Sequence, residues 1–420
     1  MKRININNSL LALFAAMLMT SCDSFDNASN VSEVKIIDVI IKTKSATPGV
    51  ESLNGLTVVL EDIKYGTKKE TVISGSETVL KGVVAGNHNI KITGKVTASN
   101  GDVYLMSIKG SGSNNYFLKN ENEVLDFEVA GLREYPLIFK EIFFAGTTPF
   151  YFRNQHYEIY NNSPDQTIYL DGVFFANLTP VTATTTLPLW PAEDGDKYAY
   201  AERIWKFPGN GTDYPLKPGE SCVISQFAAN HKLPQYSPDS PLDGSISEFE
   251  FNMDNPNFPD QPATDMIHFF YNGESVKGSM PQYLVSVFGG AYVMFKPLAG
   301  ENYDPVNNTS LQTTNLATTA TQLYAKVPIE YIVDAVEAGH NETMLNSKRV
   351  PSVLDAGMTY VGATYNSLSV TRKKIGENPD GTPILQDTNN STADFIHGIV
   401  PEFRRYNAKM PAWNHTLSGN

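Results

Sequence analysis

A chain of 420 residues exceeds what one hydrophobic core usually covers, so two domains are expected. With 41% hydrophobic residues, 11% aromatics and 18% charge, the composition points to ordered, β-rich cores rather than to a helical enzyme or a disordered chain. The formal net charge of −13, spread without long acidic blocks or any basic cluster, is repelled by phosphate backbones and argues against nucleic acid as a partner.

Residues 1–21 read as a targeting segment: Lys2 and Arg3 supply the basic start, Leu10 to Leu18 the apolar stretch, and Met19-Thr20-Ser21 the approach to Cys22. The apolar stretch is too short to span a bilayer. Its juxtaposition to Cys22 resembles a bacterial lipobox, which implies that Cys22 is lipidated and begins the mature chain; ordinary signal cleavage beside a chance cysteine is the alternative. At about 0.8 kcal/mol per buried methylene, the acyl chains of such an anchor hold a protein on its membrane. Residues 22–30, with D-S-F-D-N-A-S-N after the cysteine, read as a flexible acidic tether that resembles the export signals of Bacteroidetes surface lipoproteins. The expected location is the outer membrane, with outward display at the cell surface favoured over the periplasmic face. Once Cys22 is lipidated, Cys222 is alone, so no disulfide framework forms within the chain. In the alternating run S-C-V-I-S-Q-F it reads as a strand cysteine, not a nucleophile.

Residues 31–131 carry short strand-like runs with Gly, Asn or Pro at the turns, from V-S-E-V-K-I-I-D-V-I-I-K onward, the pattern of an antiparallel sandwich. G-V-V-A-G-N-H-N-I-K-I-T-G within them resembles a hallmark of carboxypeptidase-regulatory-like and transthyretin-like domains, which implies a spacer. The glycine-rich stretch from Gly110 to Asn115 lacks the Lys-Ser/Thr and the helix that a phosphate cradle needs, and reads as a hairpin turn.

From residue 132 to 420 a second sandwich is expected. L-I-F-K-E-I-F-F-A-G at 137–146, an aromatic loop, and H-Y-E-I-Y-N-N-S at 156–163 have the period-2 alternation of sheet strands. Together with I-Y-L-D-G-V-F-F, L-K-P-G-E-S-C-V-I-S and, late in the chain, S-L-S-V-T-R-K and L-Q-D-T-N-N-S-T-A-D-F, they resemble the lamin-tail-type immunoglobulin-like domain of secreted and surface bacterial proteins. The whole resembles an uncharacterised family of Bacteroidetes lipoproteins known only as a domain of unknown function. The fold expected is mainly β, two immunoglobulin-like or transthyretin-like sandwiches, the second interrupted by a long insertion at about 228–346. In that insertion Pro328, then Ile329, Ile332, Val333 and Val336, with Gly339 as the stop, predict a short helix. Asp387, Asn389, Asn390 and Asp394 lack the glycine and bidentate glutamate of a calcium-binding EF-hand and read as an Asx-rich turn.

No catalytic signature stands out. Seven histidines have no i, i+4 pair and no H-E-x-x-H, and no G-x-S-x-G elbow occurs. A carboxylate pair leaves no spacing rule, so Glu158 and Asp171 are candidates only as strand-end acids. No cofactor, metal or catalytic residue is expected. The aromatic residues Trp190, Tyr198, Tyr200, Trp205, Phe207 and Tyr214 form a candidate stacking platform for a sugar or other flat ligand, with inter-sheet packing as the alternative. The expectation is a non-catalytic surface lipoprotein that captures an unidentified ligand or assists an outer-membrane importer of the TonB-dependent kind; the alternatives are a structural or adhesive module and a secreted-type hydrolase.

Overall fold

The computed structural model describes residues 34–99, 102–109, 114–184, 186–277, 282–298 and 300–417. The targeting segment, Cys22 and the tether lie outside the described residues, as does the Gly110–Ser113 part of the glycine-rich loop. The chain divides into two compact units, one from residues up to Ser99 plus Leu105–Gly131, the other from Asn100–Tyr104 plus Leu132 onward.

In the first unit the strand Ile36–Ser45 points Ile37, Val39 and Ile41 inward while the intervening side chains stay more open. This is the alternation of a strand with one face on a core. It pairs antiparallel with Glu77–Val84 and parallel with Glu123–Glu134. Thr57–Asp62 lies between Lys68–Val72 and Gly86–Thr97. The edge strand Lys68–Val72 exposes Lys68, Lys69 and Glu70, charges that discourage another strand from pairing there.

The second unit is built on two sheets. The first runs, in spatial order, Thr264–Asp265, Phe249–Glu250, Ser221–Ser225, His156–Asn161, Leu137–Phe143, Ser369–Arg372 and Phe395–Ile399. The second runs Gln312–Thr313, Tyr324–Pro328, Tyr198–Lys206, Phe174–Leu178, Gly289–Phe295, Ile332–Gly339 and Thr359–Tyr360, with Ile267–Tyr271 also paired to Tyr198–Lys206. Phe139, Tyr157, Ile159 and Ile224 of the first sheet pack with Phe175, Trp205, Tyr292 and Val336 of the second in one apolar core. The opposite face of the second sheet is covered too, by a cluster that includes Phe174, Ile204, Val293, Val327 and Tyr303.

This double coverage corrects the helix expected after Pro328. Ile329–Tyr331 is a single 3-10 turn, and Ile332–Gly339 is a strand paired along its length with Gly289–Phe295. A strand buried on both faces shows no polar alternation, so its apolar positions also fit a helical period. The segment 228–346 likewise is no appendage: Ile267–Tyr271, Gly289–Phe295, Tyr324–Pro328 and Ile332–Gly339 lie in the second sheet.

One side chain ties the two sheets. Arg372, on the first sheet, donates through both ends of its guanidinium: Nη2 to Asp334 Oδ1 and Oδ2 of the second sheet at 2.9 Å each, Nε to the Phe139 carbonyl at 2.8 Å. Asp334 Oδ2 also accepts from the Phe139 N–H at 2.7 Å. Nearby, the Asx-rich stretch forms a capped turn. Asn390 accepts from the Thr392 and Ala393 N–H groups, and Asp394 accepts from Thr388 N at 2.8 Å and Thr388 Oγ1 at 2.7 Å. Replacing Asn390 by alanine leaves those donors bare and is expected to lower stability by about 1 kcal/mol in urea unfolding.

Candidate binding face

Strand register brings a set of loops to one end of the second unit. Phe143 at the close of one strand pairs with His156, which pairs in turn with Ser225, so the loops 144–155 and 226–248 leave from the same end. In the second sheet Gly289 pairs with Gly339. The segment 361–367 joins the two ends, with Val361 N donating to the Gly339 carbonyl and Tyr365 N to that of Ala145.

The loop 144–155 is clamped against this segment. Thr147 bridges both Tyr151 and Asn366, Thr148 Oγ1 donates to the Tyr365 carbonyl at 2.7 Å, and Tyr151 Oη meets His231 Nδ1 at 2.7 Å. At the tip stands Phe150, 77% exposed and edge-on to Tyr365 with centroids 5.2 Å apart. Its φ is 112°, and Tyr365 and Ser367 sit at 53° and 60°. Positive φ at a phenylalanine costs of order 1–3 kcal/mol and persists only where surroundings impose it. An exposed ring held at such a cost, with Phe288 at 47% and Leu284 at 42% exposure on the neighbouring loop, makes this end an apolar, preformed face.

The six aromatics singled out from the sequence do not form one platform. Trp205 and Phe207 are fully buried between the sheets, and Tyr214 packs edge-on to Phe249 and Trp413. Trp190, Tyr198 and Tyr200 do come together: Trp190 stacks on Tyr200 at 4.1 Å, Tyr200 Oη donates to Asp194 at 3.1 Å, and Lys326 reaches both Asp194 and the Tyr198 ring. Phe150 and Tyr365 escaped the sequence reading. The signal was present in T-T-P-F-Y-F-R, three aromatics in a loop between two strands.

Behind the face lie titratable groups held away from solvent. Burial pushes the His156 imidazole down to about 3 and that of His231 to about 4, so both are neutral. Burial also raises the Cys222 thiol well above its usual range, keeping it unreactive. On the outer face of the first sheet a bulge between Glu158 and Ile159 turns both Lys140 and Glu141 toward the segment 402–414. Lys140 Nζ donates to Glu158 Oε2 at 2.8 Å, and Glu158 Oε1 accepts from Ser221 Oγ at 2.6 Å and from Arg404 N at 3.1 Å. Glu141 accepts from Glu402 N at 2.8 Å and Arg405 Nε at 3.2 Å, while Arg404 and Asn414 both bond to Glu248. Burial, then the neighbouring Glu158, pushes Glu141 up to about 7.

Glu250, Asp260 and Asp265 bring carboxylate oxygens within 4.8 Å of one another, the donor set a divalent cation takes. The Asn252 amide already bridges Asp260 and Asp265, at 3.1 and 3.2 Å. Glu250 accepts from Ala228 N and Gln261 N, and burial pushes it up to about 7. A carboxyl whose folded pKa lies above the 4.5 of the free group adds stability at low pH, and that contribution is lost as pH rises through about 7. The thermal midpoint of the wild type is therefore expected to fall between pH 5 and pH 8 by more than that of Glu250→Gln, read by calorimetry across that range.

These features define a mainly β protein of sandwich-like sheets with an apolar loop end. A family model described as "Protein of unknown function (DUF4876)" matches residues 217–402. The crystal structure of a DUF4876 family protein from Bacteroides thetaiotaomicron VPI-5482 is 50% identical, with a TM-score of 0.65, over 91% of this chain and 100% of that one. The chain belongs to the DUF4876 family. No curated protein matches it.

Proposed function

We propose that this chain is a non-catalytic, lipid-anchored surface protein that captures a ligand or partner beside an outer-membrane importer, with the loop end of its second unit as the holding face. The observation that carries the reading is Phe150, exposed at 77% and kept at φ 112° by its clamp to the 361–367 segment. Folding alone gives no reason to hold an apolar ring out in water at a backbone cost, whereas a preorganised anchor for a bound molecule does. The lipobox-like Cys22 and acidic tether support display at the cell surface, and the resemblances of residues 31–131 and of the later chain support a spacer unit and a lamin-tail-like working unit. Neutral buried histidines and a sequestered thiol support binding over turnover.

The test is cross-linking of the full chain on intact cells followed by capture and identification of what accompanies it. A transporter or a defined ligand that disappears with Phe150→Ala supports the proposal. Equal recovery from wild type and variant favours a structural or adhesive module. Deleting residues 228–346 is no clean probe, because it removes strands of the second sheet. No helix among the described residues is long and apolar enough to cross a membrane.

A further inference from the structure

The buried group at Lys140 has more parts than an ion pair needs. Lys140 and Glu158 are both inaccessible to solvent, and their side chains meet at 2.8 Å across adjacent antiparallel strands. The two oxygens of Glu158 have divided surroundings: Oε2 faces the amine, while Oε1 takes the Ser221 hydroxyl at 2.6 Å and the Arg404 N–H at 3.1 Å. Glu141 is the cross-strand partner of Glu158, on the same face and equally buried. These are a nucleophile, a carboxyl carbon, two donors aimed at one of its oxygens, and a second carboxyl beside them.

We propose that Lys140 and Glu158 condense within the folded protein to an amide that joins the two central strands of the first sheet, with Glu141 relaying the protons. Lys140 Nζ passes one proton to Glu158 Oε2, its hydrogen-bond partner at 2.8 Å, and attacks Cδ; the Nζ–Cδ bond forms and negative charge gathers on Oε1, where Ser221 and Arg404 hold it. Glu141 delivers its proton to Oε2 and, now ionised, takes the second proton from Nζ. The Cδ–Oε2 bond then breaks, and Oε2 departs with two protons as water. An ammonium and a carboxylate become one amide and one water, nothing is oxidised or reduced, and Glu141 returns to its starting state. Burial, then the neighbouring Glu158, raises Glu141 to about 7, so that it can give and take a proton near neutrality, as this relay needs. The driving force is the removal of two charges from an interior that penalises both, whereas an amide carries none.

Peptide mapping of the purified full chain by mass spectrometry decides the matter. The expected result is a branched peptide joining the segments around Lys140 and Glu158, lighter by one water than their sum, with fragmentation placing the link on those two side chains. Recovery of both segments as separate, unmodified peptides from folded wild type overturns the proposal. In Glu141→Gln, checked for native circular dichroism, the branched peptide is expected to be lost, and its persistence at the wild-type level overturns the relay. Lys140→Arg keeps the charge and cannot form the link, so a branched peptide there shows that some other residue is joined and likewise overturns the proposal.

Discussion

Phe150→Ala is expected to weaken capture at the loop end by about thirtyfold, the roughly 2 kcal/mol that a central aromatic anchor contributes to an interface. The same change is expected to leave the urea midpoint unchanged or raised. The two expectations separate because the ring is 77% exposed and buries little on folding, while its φ of 112° is a conformation that side chains avoid. Glycine adopts that φ freely, so Phe150→Gly is expected to stabilise the fold by about 1 kcal/mol while abolishing capture. Co-purification from intact cells reads the first effect and denaturant titration the second. A variant that destabilises the fold and still captures normally shows that the ring is there for packing, and ends the anchor reading.

Arg372→Met is expected to cost about 3–5 kcal/mol, the loss found when one partner of a buried ion pair is removed. Arg372 is 2% exposed and makes both hydrogen bonds to Asp334 across the space between the sheets. Without it, the Asp334 carboxylate retains only backbone donors, Phe139 N and Ala335 N, in a site closed to water. The double variant Arg372→Met with Asp334→Asn is expected to recover part of the loss, because the stranded charge is gone. Urea unfolding of the three proteins forms the cycle; equal stability of the single and double variants shows that the charge at Asp334 was not the source.

Where local pattern and burial agree, the sequence is readable. Leu137–Phe143 and His156–Asn161 are both strands in the structure, one face on the apolar core and the other on a layer that includes charged groups, although the alternation of the first slips at Lys140 and Glu141. Cys222 in its alternating run is likewise a buried strand residue. Ile332–Gly339 misleads because coverage of both faces erases the period that separates strand from helix. The aromatic cluster misleads differently: density along the chain does not say which rings point between the sheets, as Trp205 and Phe207 do. The aromatic run T-T-P-F-Y-F-R marks a loop but not which ring stands exposed, because the loop is clamped to Tyr365 and Asn366, residues far away in sequence. The Lys140 bulge was equally hidden, since only pairing with the His156–Asn161 strand places Lys140 and Glu141 on one face.

The strand order of the second unit interleaves early and late parts of the chain, with Leu137–Phe143 paired to Ser369–Arg372 and Ser221 N bonded to the Lys409 carbonyl. Its central strand therefore waits for a neighbour made near the end of synthesis. Such a unit cannot mature piecemeal on the ribosome, and its assembly is expected to be slow and dominated by long loop closures. For the exported surface protein proposed above, that delay would be an asset, keeping the polypeptide unfolded long enough to be threaded through a translocation channel.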